Sequence, residues 1–367
     1  MQRFVRMLAF AISIVIAFWW GAFTSHSATR PSPPPADPIA RMSLAEKAGQ
    51  LVMTRIGGTA LSDGDRALLS TSHIGGVILF SDNYRDAAQL RALTDEIQQA
   101  SVGGNGPLIA IDQEGGVVKR LAGLPPWYSA SQIGSSGSSA LAFGQGMETG
   151  KALRALGITM DLAPVADLDE GPAHVMGSRS FGALPVRAGR LSSAFARGLQ
   201  SAHVAATLKH FPGLGGATIN SDDGKAYVYR TAVALAADLI PFRFGIASHA
   251  QAIMVSHGMY VNAYGPLPAS INPSIATTLL RQRMGFTGVA ISDSLNSIAW
   301  RFGGDVAAAC PATIASGVDI ALITGDAETA RECADRIVEA VHEGTLLKPR
   351  LDEAVSRVLA MKRWLGL

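Results

Sequence analysis

The chain has 367 residues, of which 48% are hydrophobic and 16% are charged. This composition is typical of a protein with a large packed core and excludes a disordered chain. The 31 basic residues nearly balance the 29 acidic ones, which excludes a strongly cationic nucleic-acid surface. Two cysteines are too few for a cysteine-rich zinc site or a disulfide scaffold. The composition therefore favours an enzyme or a binding protein for small, largely neutral ligands.

Residues 1–28 have the pattern of an export signal. Arg3 and Arg6 precede an apolar run, Met7–Phe23, that no charge interrupts, and small residues around Ser27 offer a weak cleavage site. The run is also barely long enough to span a bilayer, so a signal peptide and an N-terminal membrane anchor both fit. We therefore expect an exported protein that is periplasmic, extracellular or membrane-anchored.

Removal of residues 1–28 would leave 29 basic and 29 acidic residues, and hence no net charge to steer the protein towards polyanions. Residues 29–38 are rich in proline and are predicted to form a stiff, extended linker. A single domain is predicted over 39–367, with Ser43-Leu-Ala-Glu46 as the capping box of its first helix. No nucleic-acid partner is expected.

Cys310 and Cys333 are the two cysteines of the chain. An oxidising compartment would permit a disulfide between them. Two buried free thiols fit the sequence equally well.

Eight short apolar runs recur along the chain, each followed by a polar or glycine break and a helical pattern. Continuous hydrophobicity is typical of strands buried on both faces of a parallel sheet, and eight strands alternating with helices predict an α/β fold, a closed (β/α)8 barrel of the TIM type. A doubly wound open sheet is the competing fold, but Gly57-Gly58 after the first run lacks the dinucleotide-binding spacing. The predicted strands are Gln50–Arg55, Gly75–Ser81, Leu108–Asp112, Thr159–Val165, Ala205–His210, Ala252–His257, Gly288–Asp293 and Asp319–Thr324. Two C-terminal helices are predicted around Ala327–Ala340 and Leu351–Leu365.

Polar residues mark the carboxyl ends of these strands. Asp112, Lys209-His210, His257 and Asp293 end four of the runs, and Asp167 falls just beyond another. Each one alone is explained better as a helix cap or a satisfied core group, because polar residues often cap helices. Because the carboxyl ends of barrel strands meet at one mouth, several such residues in register predict an active site there.

The residue types at this mouth narrow the chemistry. The sequence has no His-Glu-x-x-His motif, no Gly-Lys-Ser/Thr phosphate loop and no Gly-x-Ser-x-Gly elbow, so we expect no metal and no cofactor. Carboxylates and a basic pair remain. They suit glycosidic bonds, where one carboxyl group attacks an oxocarbenium-like centre and another protonates the leaving oxygen.

Three motifs surround these polar strand ends: Asp112-Gln-Glu-Gly-Gly116, Lys209-His-Phe-Pro-Gly213 and Ser292-Asp-Ser-Leu295. Together they resemble glycoside hydrolase family 3, and in particular its single-domain bacterial β-N-acetylglucosaminidases. The resemblance runs in collinear order from about Ser43 to Ala321. Supporting segments are Ala163-Pro-Val-Ala-Asp167, Gly177-Ser-Arg-Ser-Phe-Gly182 and Pro268-Ala-Ser270.

The resemblance implies roles for individual residues. Asp293 matches the family's catalytic nucleophile, which forms a covalent glycosyl-enzyme and retains the anomeric configuration. The residues that match positions gripping the terminal sugar are Asp112, Arg120, Arg179, Lys209 and His210. A nearby cation also favours the ionised form of a nucleophilic carboxylate. For Lys209-His210, a buried ion pair that only orders the barrel is the alternative.

The resemblance breaks at the proton donor. After Lys-His-Phe-Pro-Gly the family usually has a loop histidine, its general acid/base, which an aspartate orients. Counting from Lys209 without a gap, Asn220 replaces that aspartate and Asp222 replaces the histidine, while Val117 and Leu214 replace a usual arginine and another histidine. Asp222 is the candidate substitute acid, with Asp223 as a second choice, provided that its surroundings raise its pKa.

Three hypotheses follow from the resemblance and this departure. The first is a retaining exo-glycosidase that removes terminal β-linked N-acetylhexosamine (GlcNAc) from cell-wall glycans such as peptidoglycan. The second is an inactive or weakened relative that binds sugars or muropeptides, and the third is a β-glycosidase for another terminal sugar. A small carbohydrate is the expected partner, membrane attachment would run through the N-terminal segment, and the oligomeric state stays open.

Overall fold

A computed structural model describes residues 38–102, 104–170 and 173–367. Residues 1–28 and most of the 29–38 linker lie outside the described residues, so the export signal stays a prediction. Within the described part of the chain, no helix combines the length and the apolar character that crossing a membrane requires. Pro38–Arg41 forms a single helical turn, so the capping box at Ser43 opens the second helix rather than the first.

Eight parallel strands form the barrel: β1 Val52–Arg55, β2 Gly76–Leu79, β3 Leu108–Ile111, β6 Met160–Asp161, β7 Ala205–Phe211, β8 Ala252–Val255, β9 Val289–Ser292 and β10 Ala321–Ile323. Two further strands, β4 Gln113–Gly115 and β5 Val118–Lys119, form a separate antiparallel hairpin. The barrel order is β10-β1-β2-β3-β6-β7-β8-β9, and a parallel bridge from Ile291 to Ile320 joins β9 to the start of β10 and brings the two edges of the sheet together. The predicted TIM-type barrel is therefore confirmed.

Helices surround the strands. They are α1 Pro38–Arg41, α2 Leu44–Gln50, α3 Asp63–Thr71, α4 Ala87–Ala100, α5 Ala130–Ser136, α6 Ser139–Ala155, α7 Pro185–Ser201, α8 Ala232–Ala247, α9 Val261–Tyr264, α10 Ala309–Ser316, α11 Ala327–His342 and α12 Lys348–Leu365. Shorter helical segments include Leu295–Phe302, which follows β9. The core between helices and strands is built from fully buried aliphatic side chains, which explains the continuous apolar runs of the sequence.

The predicted strand Thr159–Val165 is shorter than expected, since only Met160–Asp161 forms a regular strand. Pro164 lacks an N–H group and cannot continue a ladder of backbone hydrogen bonds. The chain nevertheless stays beside β7, because Val165 forms an isolated parallel bridge with Lys209. This irregular segment leads to Asp167 at the mouth of the barrel.

Cys310 and Cys333 form a disulfide that links α10 to α11, with Cα atoms 5.7 Å apart. Both residues are fully buried in the layer between the helices and the barrel. Of the two possibilities that the sequence left open, the structure has the disulfide.

Candidate active site

The carboxyl ends of the barrel strands surround a cavity of about 450 Å³. All seven residues predicted for the site line it: Asp112, Arg120, Arg179, Lys209, His210, Asp222 and Asp293. Four of them lie at the ends of three barrel strands and three lie in connecting segments, and they are separated by up to 181 positions in the sequence. The fold therefore brings the predicted residues together, as the register of polar strand ends suggested.

Lys209 is the centre of a buried ion network. Its Nζ atom donates to Asp112 Oδ1 at 2.5 Å and lies 2.6 Å from Glu114 Oε1. Arg179 adds a bidentate pair with Glu114, at 2.9 and 2.8 Å. Burial opposes the charge on Lys209, but the two carboxylates prevail and raise its pKa. Lys209 is therefore a permanently charged cation that holds Asp112 beside the cavity. The second oxygen of Asp112, Oδ2, lies 3.6 Å from the Arg120 guanidinium.

Glu114 was not assigned a role from the sequence, although it lies within the Asp112-Gln-Glu motif. It is positioned by a tight hairpin, β4–β5, whose turn uses Gly115 and Gly116 at positive φ. A Cβ atom on Gly115 would lie 2.6 Å from the carbonyl oxygen of Tyr128, so a side chain there would displace the hairpin. Arg120 directly follows the second strand of the hairpin. The short segment from Asp112 to Arg120 therefore supplies three charged groups of the cavity, Asp112, Glu114 and Arg120.

The Glu114 carboxylate is expected to stabilise the folded protein above acidic pH. Burial alone would raise its pKa, but Lys209 and Arg179 outweigh burial and lower the pKa from 4.5 to about 2. Since the folded-state pKa is depressed, the stabilisation, about 3 kcal/mol, is complete above pH 4.5 and disappears as the pH falls through about 2. Glu114→Gln should therefore lower the melting temperature clearly at pH 7 and much less at pH 3. Exposed Glu332→Gln is the control, and equal effects of Glu114→Gln at both pH values would contradict this account.

His210 is oriented by Asp167. Asp167 is fully buried and its Oδ2 lies 2.6 Å from His210 Nδ1, while it also accepts the backbone N–H of His210 at 3.0 Å. The Nδ1–H group therefore donates to the carboxylate, which leaves the other ring nitrogen to face the cavity. Asp167 Oδ1 accepts the N–H of Leu214 at 2.7 Å, so the same carboxylate fixes the start of the following loop.

His257 supports the backbone next to Asp293. Its Nε2 atom lies 2.8 Å from the carbonyl oxygen of Ser294 and must donate, so Nδ1 accepts from the Ser270 hydroxyl at 2.7 Å. Burial lowers the pKa of His257, and the ring is therefore uncharged near neutral pH. The two hydrogen bonds of the neutral ring fix the Ser294 backbone, and with it the direction of the Asp293 side chain.

Asp293 directly follows β9 and faces the cavity. Burial opposes its ionisation, but His257, His210, the Ser294 N–H and Lys209 together lower its pKa below the ordinary value. With His257 uncharged near neutral pH, the Ser294 N–H at 2.8 Å from Oδ1 and the permanent charge of Lys209 still favour the carboxylate. Asp293 is therefore ionised near neutral pH.

Asp222 lies in the β7–α8 loop, residues 212–231, and shares the cavity with Asp293. Water reaches it through the mouth, although protein surrounds most of the side chain. This partial burial, followed by the charge of Asp293, raises the pKa of Asp222. Asp223, the second candidate, is not among the described residues that line the cavity. The structure thus places two carboxyl groups in the same cavity, Asp293 with a lowered pKa and Asp222 with a raised pKa.

Other cavity residues were not assigned a role in the site from the sequence, although Asn220 was noted where the family usually has an aspartate. Arg55, Asn296 and Ser297 line the cavity, and Asn220 contributes its amide oxygen to the N–H of Asp222 at 3.3 Å. Arg55 is the last residue of β1, so its position at a strand end, like that of the other polar residues, could have predicted that it lines the cavity. Among the described residues, no group of histidine, cysteine or acidic side chains has the arrangement of a metal site.

Comparison with known proteins places this barrel and cavity in a family. The family described as "Glycosyl hydrolase family 3 N terminal domain" matches residues 43–361. A β-hexosaminidase from Thiobacillus denitrificans is 37% identical over 290 residues, covering 77% of this chain and 80% of the relative. The β-hexosaminidase LpqI from Mycobacterium tuberculosis is 32% identical, covering 98% of this chain and 97% of the relative. The chain therefore belongs to glycosyl hydrolase family 3 and is a glycoside hydrolase.

Solved structures agree with this assignment. The glycoside hydrolase family 3 β-N-acetylglucosaminidase from Paenibacillus sp. FPU-7 superposes with a TM-score of 0.83 and 36% identity. The alignment covers 89% of this chain but only 63% of the Paenibacillus chain, which is longer.

Proposed function

We propose that this protein is a retaining exo-β-N-acetylhexosaminidase that removes terminal β-linked GlcNAc. The names of the relatives support this choice of sugar. The observation that carries the proposal is the pair of carboxyl groups in one cavity, Asp293 with a lowered pKa and Asp222 with a raised pKa. A cavity of about 450 Å³ is near the lower end of the usual range for small-ligand sites, about 300–1,000 Å³, which suits one terminal sugar.

In the first step, Asp222 donates its proton to the glycosidic oxygen while an oxygen of Asp293 attacks the anomeric carbon. The bond from that carbon to the leaving oxygen breaks, and a glycosyl-aspartate ester forms. In the second step, the Asp222 carboxylate removes a proton from water, whose oxygen attacks the anomeric carbon and displaces Asp293. Two inversions give net retention, and both carboxyl groups return to their starting states.

The remaining predicted residues would hold the sugar. Asp112 offers acceptor oxygens to sugar hydroxyl groups, and Lys209, Arg120 and Arg179 offer charged donors. The Nε2 atom of His210, which pairs with none of the described residues, is available in the same space. Lys209 and Asp112 already form an ion pair in the empty cavity. Their polar groups are therefore held in place before a sugar hydroxyl binds to them.

The substituted proton donor makes a binding protein without turnover the competing function. Asn220 and Asp222 stand where the family usually has an aspartate and a histidine. An ordinary aspartate is ionised at neutral pH and cannot donate a proton, so activity depends on the raised pKa of Asp222.

The stereochemistry of the product tests the proposal directly. We expect the protein to hydrolyse an aryl β-N-acetylglucosaminide and proton NMR to detect the β-anomer of GlcNAc before mutarotation. Release of the α-anomer first would overturn the retaining mechanism. Binding of GlcNAc without any turnover would establish the competing function.

We also propose that the protein acts outside the cytoplasm on cell-wall fragments. The Cys310–Cys333 disulfide supports this, because such bonds persist mainly in oxidising compartments. The predicted export signal is consistent with the same location. Fractionation of cells, with alkylation of free thiols before lysis, is expected to recover the protein outside the cytoplasm with both cysteines protected. Recovery in the cytoplasm with free thiols would contradict the proposal.

A further inference from the structure

The two ends of the β7–α8 loop are fixed to the barrel. At its start, the N–H of Leu214 donates to Asp167 Oδ1 at 2.7 Å. At its end, the N–H of Val228 donates to the carbonyl oxygen of Met259 at 2.9 Å. Backbone bonds to buried partners of this kind hold a chain segment firmly. The loop therefore has fixed ends, and the position of Asp222 depends on what holds the part between them.

The tip of the loop, residues 219–225, is organised locally. Asn220 accepts the N–H of Asp222 through its side chain at 3.3 Å and the N–H of Asp223 through its backbone oxygen at 3.1 Å. These bonds shape the turn, but they lie within the tip and do not fix it against the barrel. Contacts that leave the tip set its distance from the cavity. The hydroxyl of buried Ser221 lies 3.5 Å from Asp293 Oδ2, and further contacts reach the segment that follows Asp293.

Two such contacts reach the helical segment Leu295–Phe302, which directly follows the nucleophile strand. The Ser297 hydroxyl lies 3.5 Å from Asp222 Oδ1, at the outer limit of a hydrogen bond. Three residues further along, the Lys225 ammonium lies 4.2 Å from the centre of the Trp300 ring, which is a close cation–π distance. Both side chains of this second contact are exposed at the rim, and neither was assigned a role above.

We propose that the Lys225–Trp300 contact holds the tip of the β7–α8 loop over the cavity and so keeps Asp222 within reach of the leaving oxygen. This inference rests on the proposed function, because it assigns the contact a role in proton donation by Asp222. Lys225 and Trp300 are positioning residues, since they act through Asp222. The geometry favours this role because the contact joins the two segments that carry the two carboxyl groups.

The expected effect is modest and specific. An exposed cation–π contact holds its partners together by a factor of about two to five. Lys225→Met should therefore lower kcat/KM about two- to fivefold on a GlcNAc disaccharide, whose leaving group needs a proton. The same variant should leave kcat/KM unchanged on a dinitrophenyl glycoside, whose leaving group does not.

Variants of both partners test whether the contact itself is responsible. Lys225→Arg keeps a cation over the ring and is expected to retain wild-type kcat/KM. Trp300→Ala should reduce the disaccharide reaction at least as much as Lys225→Met, and Lys225→Met should have no further effect in the Trp300→Ala background. Lys151→Met, on the exposed face of α6, is the matched control and should behave like the wild type. Equal losses on both substrates, or additive losses in the double variant, would overturn the proposal.

Hydrogen exchange separates this inference from the proposed function. The amides of Asp222 and Asp223 should exchange about two to five times faster in Lys225→Met and Trp300→Ala than in the wild type. This readout does not depend on turnover. Suppose that the wild type shows no turnover but exchange is faster in both variants. The proposed function would then be wrong and the contact would have no catalytic role, but the inference that it holds the loop tip would stand. If exchange and kinetics are both unchanged in the variants, the contact does not hold the loop.

Discussion

Replacement of Asp293 by asparagine is expected to lower kcat for an aryl β-N-acetylglucosaminide by about 10⁴–10⁶-fold, the scale seen when groups of a covalent catalytic centre are removed. Asparagine has nearly the same shape but cannot form the glycosyl ester under these conditions. The Asp293 side chain lines the cavity and its pKa is held below the ordinary value. The substitution therefore removes the negative charge while keeping the volume of the side chain. Binding of GlcNAc and the melting temperature should change little by comparison.

Chemical rescue provides the control for this prediction. Asp293→Ala leaves space at the anomeric carbon, and added azide can attack from the face that the carboxylate normally occupies. The product of rescue would be the α-glycosyl azide, because a single displacement inverts the configuration. Activity of Asp293→Asn equal to that of the wild type would show that another group is the nucleophile.

Replacement of Asp222 by alanine is expected to lower kcat/KM by about 10²–10⁴-fold on a GlcNAc disaccharide, the usual contribution of a general acid. The loss on a dinitrophenyl glycoside should be far smaller, since that leaving group departs without a proton. Asp223→Ala is the matched control: it removes the neighbouring carboxyl group, which is not among the described residues lining the cavity. Similar losses on both substrates would exclude Asp222 as the acid, and a selective loss in Asp223→Ala would transfer the role to Asp223.

The pH profile should report the same pair. Activity requires Asp293 ionised and Asp222 protonated, so kcat/KM should rise as the pH passes the lowered pKa of Asp293 and fall as it passes the raised pKa of Asp222. In Asp222→Ala, the alkaline decrease for the disaccharide should disappear. A decrease that persists unchanged would assign it to another group.

The structure explains why the prediction of the general acid needed more than a motif. Asp222 and Asp223 are neighbours with the same chemistry, and counting from Lys209 gave only a provisional choice between them. The fold favours Asp222 for the proposed role, because Asp222 lines the cavity with Asp293 whereas Asp223 is not among the described residues that line it. Burial, and then the charge of Asp293, raise the pKa of Asp222 in the direction that a proton donor needs.

The sequence by itself determined the barrel and most of its mouth. Buried parallel strands must be apolar along their length, so their positions could be predicted from continuous runs, and the polar residues that end them are necessarily at one edge. Asp112, Lys209, His210 and Asp293 were predicted on this basis together with the family motifs, and the cavity contains all four. A continuous apolar run with a polar residue at its end is a local pattern, which can be recognised in each segment without knowledge of the rest of the fold.

Only the tertiary structure decided which side chains meet. The pairing of Glu114 with Lys209 and Arg179, the disulfide between Cys310 and Cys333, and the contact of Lys225 with Trp300 join segments that are 23 to 95 positions apart. The physical reason is that a pKa and an ion pair depend on distances across the fold, in surroundings of low dielectric constant. No pattern of neighbouring residues contains those distances.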